Sequence, residues 1–174
     1  MPFFKSLSPE AGVGELWSIN PAIRKPMNEL GRAIMREDSP LSPALREGIA
    51  AFVSAINRCD YCFKGHIEVA AALGADREAI VAAARDVDAS PLPEKYKPLF
   101  RYLRKLTLEP AAMSQADADA VFAAGWTERA LHDAILVCCR FNFMNRLSLG
   151  HGLDPDGVAP EARAKNMSYA KPAP

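Results

Sequence analysis

Four side chains in the stretch 47–66 are of types that carry acid–base, thiol or metal chemistry, and they stand at fixed removes. Eleven residues lie between Glu47 and Cys59, two between Cys59 and Cys62, and three between Cys62 and His66. Two thiols two residues apart can cycle between dithiol and disulfide, or can ligate a metal as thiolates. An imidazole four residues beyond a thiol can draw its proton away, and a carboxylate can hold that imidazole in one tautomer. The same four side chains, two thiolates with one imidazole and one carboxylate, also make a possible tetrahedral zinc set. A third reading is structural, with four residues that merely share a helical hairpin.

These readings depend on the elements that position the groups. At about 100° per residue, Cys59, Cys62, Phe63, His66, Val69, Ala70 and Leu73 fall within roughly 120° of one another on a helix surface. Lys64 and Glu68 point away. Both cysteines and the histidine therefore belong to the inward face, and with Cys59 near the helix start and Cys62 one turn in, unpaired N–H groups and the positive end of the helix dipole favour thiolate there. Glu47 needs a fold. On a continuous helix it would stand roughly 18 Å from Cys59. With a break at Asn57-Arg58, Glu47 lies about 15 Å below the turn on one arm and His66 about 12 Å below it on the other. The hairpin makes them neighbours. Glu47 also shares its face with Ala50, Ala51 and Ser54, small residues that admit a second helix closely. A zinc knuckle usually comes from a turn, whereas here the thiols and imidazole share one regular helix, and no second cysteine pair stands at ligand spacing. A thioredoxin-like context is excluded by the absence of any strand pattern.

The rest of the chain is helical in pattern, with no sustained period-two alternation. Asn20 with Pro21, and Ser42 with Pro43, read as N-caps followed by proline at the first helical position. Leu45, Ile49, Phe52, Val53 and Ile56 form one apolar stripe. Gly74 ends the cysteine helix, and "DREAIVAAARDV", "PEKYKPLFRYLRKLTL" and "SQADADAVFAAG" supply further helices. The last runs from Thr127 to Gly150 and carries apolar groups nearly all the way round, which calls for burial on every side or at a subunit contact. The expected fold is all-α, a bundle of paired antiparallel helices with the C-x-x-C at a helix start. The tail 159–174 is small, polar and proline-containing.

Composition narrows the partners. Among 174 residues, 21 basic and 21 acidic side chains balance, so no electrostatic nucleic-acid or membrane partner is expected. The first residues lack a basic segment followed by an apolar one, and no apolar run approaches membrane-spanning length. A soluble, cytoplasmic protein is the expectation. Four cysteines are too few for a secreted disulfide scaffold, and a C-x-x-C in a reducing compartment is more often redox-active or metal-binding.

Glu47, eleven residues, Cys59-Asp60-Tyr61-Cys62, three residues and His66 together resemble the core motif of the AhpD-like alkylhydroperoxidases of the carboxymuconolactone decarboxylase superfamily. The helical pattern from Leu41 to Gly74 and the ending "FNFMNRLSLGHGLDPD" extend the likeness. The longer peroxidase-related members, with an added N-terminal helical stretch (here 1–40), are the most similar. The resemblance implies one AhpD-like domain over residues 1–174, an obligate homo-oligomer, trimer-based or hexameric, and a thiol peroxidase mechanism. It casts Cys62 as peroxidatic, Cys59 as resolving through a Cys59–Cys62 disulfide, and Glu47 and His66 as a proton relay. No cofactor or metal beyond that redox pair is implied, and the reductant would be a thiol or dithiol. Members often carry a histidine just before the peroxidatic cysteine. Here Tyr61 stands there, a phenol that does not titrate near neutrality, so a simpler relay and weaker activity are expected. The alternatives are carboxymuconolactone-decarboxylase-like chemistry, which has no use for a dithiol, and a non-enzymatic zinc-binding or structural oligomer.

Other residues read more plainly. Adjacent Cys138 and Cys139 do not easily meet disulfide geometry and are expected as small core residues. His132 is expected to be exposed, and His151 to serve as a cap or interface group. Asn142, Asn145 and Arg146 interrupt an apolar helix and either bridge neighbours or reach the site. Trp17 and Trp126 signal packing only.

Overall fold

Ser42 starts the central helix. Its side chain accepts a hydrogen bond from the Leu45 amide, with Pro43 at the first turn, so one of the orphan donors of the helix start is satisfied. The computed structural model of the chain describes residues 1–157 and is all-α, with no strand among them. The helices are α1 (Val13–Ile19), α2 (Arg24–Arg36), α3 (Pro43–Ile56), α4 (Asp60–Ala72), α5 (Arg77–Arg85), α6 (Lys97–Leu108), α7 (Gln115–Ala123) and α8 (Glu128–Gly150). The tail 159–174 lies outside the described residues.

Every residue of α3 from Arg46 to Ser54 is buried, so this helix, and not the last one, occupies the centre. It packs against α4 along most of its length and also against α2, α5, α6 and α8. Ile49, Phe52 and Val53 are fully enclosed, each stabilising by about 1.5–3 kcal/mol through burial. Phe52 meets Phe100 of α6 edge-on, with ring centroids 4.8 Å apart. Gly48 admits α5, because a Cβ there would stand 3.0 Å from the Ile80 side chain.

The break between α3 and α4 is a Schellman turn. The Arg58 amide bonds to the Ala55 carbonyl and the Cys59 amide to the Ser54 carbonyl, the two bonds that close such a motif. Arg58 has φ of +54°, a left-handed conformation that costs a non-glycine residue about 1–2 kcal/mol. Helices α4, α7 and α8 end in the same way on Gly74, Gly125 and Gly152. The turn that places the cysteines is thus the one of these four that uses a residue with a side chain.

The expectations at the termini need adjustment. Asn20 and Pro21 open a short 3-10 turn, without a side-chain cap, before α2 begins at Arg24. Helix α8 is buried on one side only: Leu136, Cys139, Phe143 and Leu149 are exposed in the single chain. Cys138 is a core residue and Cys139 is not. The N-terminal segment forms its own small cluster with the end of α8, through Leu7, Leu16, Trp17, Met144 and Leu153, with Tyr61 at its margin.

Candidate active site

Cys59 is the residue that caps α4, and Cys62 lies in its first turn. Both are free thiols and both are buried. The interaction between them is the largest influence on the proton affinity of each. It pulls Cys62 below the ordinary thiol range, because Cys59 donates to the Cys62 sulfur and stabilises its thiolate. The positive charge of a protonated His66, the Ser148 hydroxyl and the Asn145 amide act in the same direction, against the cost of burial. Cys59 is correspondingly pushed up, since losing its proton would remove the donor and place two like charges together. The pair is therefore biased to lose its first proton from Cys62 while Cys59 keeps its own.

Folding α3 back on α4 brings the carboxylate to the imidazole. Glu47 Oε2 stands 2.5 Å from His66 Nδ1, and Arg36 Nη1 of α2 donates to Glu47 Oε1 at 2.9 Å. Glu47 is fully buried. An unpaired charge there would be prohibitive, so the two partners are what permit it. With Nδ1 held on the carboxylate, Nε2 is the nitrogen left to exchange protons with a bound group. The His66 ring packs edge-on against Phe141, with centroids 4.4 Å apart.

Polar groups of α3 and α8 brace the cysteine turn from behind. Asn145, fully buried, donates to Ser54 Oγ at 2.9 Å and accepts from Asn57 at 2.9 Å. Ser54 in turn donates to the Ala50 carbonyl at 2.7 Å. Ser148 Oγ lies 3.6 Å from Cys62 Sγ. Asn142 contacts Asn57, Thr107 and the Cys138 sulfur, and Arg146 is exposed. Of these, Asn145 was legible as a polar interruption in an apolar helix. Ser148, Arg36 and Arg140 carried no signal, since serine and arginine on helices ordinarily face solvent.

A cleft of about 650 Å³ lies over Cys62, Glu47 and His66, walled by Met35, Phe141 and Met144. Gly12, Val13 and Gly14 from the N-terminal segment form one lip. Tyr61 ties that lip down, its hydroxyl accepting the Val13 amide at 3.2 Å. The position expected to weaken the relay is thus also a structural tether. Among the described residues, no group of three or more His, Cys, Asp or Glu side chains is placed to hold a metal ion. Nor is any helix among them long and apolar enough to cross a membrane. His132 is exposed, and His151 caps α8, bonded to the Leu147 carbonyl and stacked on Phe4.

Comparison with known proteins fits this architecture. The carboxymuconolactone decarboxylase family model matches residues 21–92, which contain α2 through α5 and the whole Glu-Cys-Cys-His set. That segment is similar to the carboxymuconolactone decarboxylase family. Its fold is AhpD-like. A peroxidase-related protein from Silicibacter sp. TM1040 superposes with a TM-score of 0.75 at 25% identity, over 82% of this chain and 74% of that one. An AhpD-core peroxidase-related protein from Ralstonia eutropha JMP134 gives 0.74 at 21% identity, over 80% and 74%. The debrominase Bmp8, solved with 2,3,4-tribromopyrrole, gives 0.65 at 17% identity, over 87% and 79%. The last two likenesses concern the fold alone. No curated protein matches the chain. The proteins it resembles are thus peroxidase-related or of a decarboxylase family.

Proposed function

We propose that this protein reduces organic hydroperoxides with the Cys59–Cys62 pair. The observation that carries the reading is the Cys62 thiol, held below its ordinary range by Cys59 at the floor of a cleft that also exposes a carboxylate-held imidazole. A redox pair needs one thiol ready as a nucleophile and a second kept protonated until called upon, and the opposite directions in which the two thiols are shifted support that reading.

In the first step the Cys62 thiolate attacks the terminal peroxide oxygen. The O–O bond breaks, Cys62 becomes a sulfenic acid, and the departing alkoxide takes a proton from His66 to leave as the alcohol. Glu47 steadies the charge that His66 carries between proton gain and loss, and Arg36 steadies Glu47. In the second step Cys59 gives up its proton and attacks the Cys62 sulfur. Water leaves and the Cys59–Cys62 disulfide forms. Two electrons have passed from the dithiol to the peroxide. An external thiol or dithiol returns them, as a reducing, cytoplasmic setting would provide. Through the exposed stripe Leu136, Cys139 and Phe143 on α8, the chain assembles with further copies of itself, as a trimer or hexamer.

The test is consumption of tert-butyl hydroperoxide with dithiothreitol as reductant. Cys62→Ser abolishes it, and Cys59→Ser permits the first step without the disulfide. Undiminished turnover by Cys62→Ser would overturn the proposal.

A further inference from the structure

Arg140 is the charged group in the cleft that none of the chemistry above uses. It projects from α8 into the cleft and is largely buried, which lowers its affinity for its own proton. Its Nε and Nη1 atoms are buried without a hydrogen-bond partner. Guanidinium donors removed from water ordinarily find a carboxylate or carbonyl. The charges of Glu47 and Cys62 favour the cation, but the hydrogen bonds Glu47 makes to Arg36 and His66 leave the Nε and Nη1 donors of Arg140 unmet. Arg36 adds repulsion. Arg32, also on the wall, is paired with Glu37.

The backbone of α2 makes room for this guanidinium. Gly31 faces it, and a Cβ there would stand 2.5 Å from Arg140 Nη2 and 2.9 Å from Cζ. The guanidinium therefore sits close against Gly31, and a side chain there would make it shift. Beside it the wall is apolar, with Met35, Phe141 and Met144. A nucleophilic sulfur, an apolar wall and an unpaired planar cation within one cleft of about 650 Å³ match a small molecule with a reactive group, a hydrocarbon body and an anionic planar end.

We propose that the cleft over Cys62 takes substrates that carry a carboxylate, and that Arg140 binds it. Taken with the proposed peroxide reduction, on which this clause rests, the substrate class is carboxylated organic hydroperoxides. A carboxylate accepts two parallel bonds from one guanidinium, so the contact would fix the far end of the substrate and set the distance from which its reactive group meets Cys62.

The experiment compares benzoate with neutral benzyl alcohol, binding to the reduced full-length protein by titration calorimetry. Benzoate should bind at least tenfold more tightly than benzyl alcohol. Arg140→Met should weaken benzoate by tenfold or more and shift benzyl alcohol less than threefold, with Arg140→Lys intermediate. Gly31→Ala, which keeps the charge but crowds the guanidinium out of its seat, should weaken benzoate several-fold. This second variant serves if Arg140→Met does not fold. Should Arg140 act only as counter-charge to the Cys62 thiolate, Arg140→Met would slow alkylation of Cys62 by neutral iodoacetamide and leave benzoate affinity unchanged, which overturns the proposal. Equal affinity for benzoate and benzyl alcohol overturns it as well. The two readings fail separately. Turnover of tert-butyl hydroperoxide with no benzoate selectivity removes the carboxylate site alone. Arg140-dependent benzoate binding with no peroxide turnover keeps the site and removes the peroxidase reading.

Discussion

Glu47→Gln is the substitution that isolates the proton relay, since glutamine keeps the shape and removes the charge. In the wild type Glu47 Oε2 holds His66 Nδ1 at 2.5 Å while Oε1 receives Arg36 at 2.9 Å. Loss of a hydrogen bond to a charged partner is worth about 1.5–3 kcal/mol. Each 1.36 kcal/mol off the transition state is tenfold in rate, so peroxide reduction should slow by roughly 10- to 100-fold. Stability should fall too. Breaking a buried ion pair costs about 3–5 kcal/mol at full burial. Here Arg36 is 26% exposed and His66 14%, so water reaches the abandoned partners and about 2–3 kcal/mol is expected. Stopped-flow measurement of peroxide consumption gives the rate, and urea unfolding by circular dichroism gives the stability. A folded Glu47→Gln protein with wild-type rate would refute the relay. A folded protein with wild-type stability would refute the account of Glu47 as a paired buried charge.

Further outcomes follow from single contacts. Ser148→Ala removes a group that lowers the Cys62 pKa, so the midpoint for its alkylation should move up in pH. Thiolate is present above that midpoint and lost as pH falls through it. With the Cys62 pKa lowered to about 6, labelling below that pH should therefore slow by roughly two- to tenfold, as loss of one hydrogen bond implies, and converge with wild type at alkaline pH. A Cys139→Ser background removes the exposed competitor, and mass spectrometry of the Cys62 peptide reads the result. Arg58→Gly relieves the left-handed residue at the cysteine turn. It should raise stability by up to about 1 kcal/mol after the entropy that glycine adds to the unfolded chain, whereas Arg58→Val should destabilise. Size-exclusion chromatography with light scattering should give a mass several times 18.9 kDa, and Phe143→Glu on the exposed α8 stripe should lower it. A wild-type monomer would contradict the assembly.

The parts of this molecule that were legible from sequence are those governed by local rules. Ser42 and Thr127 cap helices through their side chains. Ser114 and Asp117 form a capping box, and Gly74 terminates α4. The neighbourhood of Glu47 and His66 followed from helix rise and a single turn, which are also local quantities. What was not legible depends on packing between distant helices. Whether α3 or α8 is enclosed within one chain is decided by the summed fit of neighbouring helices, and α3, packed against five of them, takes the centre. Cys138 and Cys139 are chemically identical and differ only in which side of α8 faces α6. Arg36 and Arg140 sit on different helices, and only the tertiary fold turns both toward one cleft.

The central claim is that Cys59 and Cys62 are a working redox pair, and its most direct test is a thiol count mapped to peptides. The reduced chain has four free cysteines. One equivalent of tert-butyl hydroperoxide should remove two of them, with tryptic mapping assigning the loss to a Cys59–Cys62 disulfide and leaving Cys138 and Cys139 reduced. No loss of thiols, or a loss that falls on Cys138 or Cys139 while Cys62 stays reduced, would contradict the account.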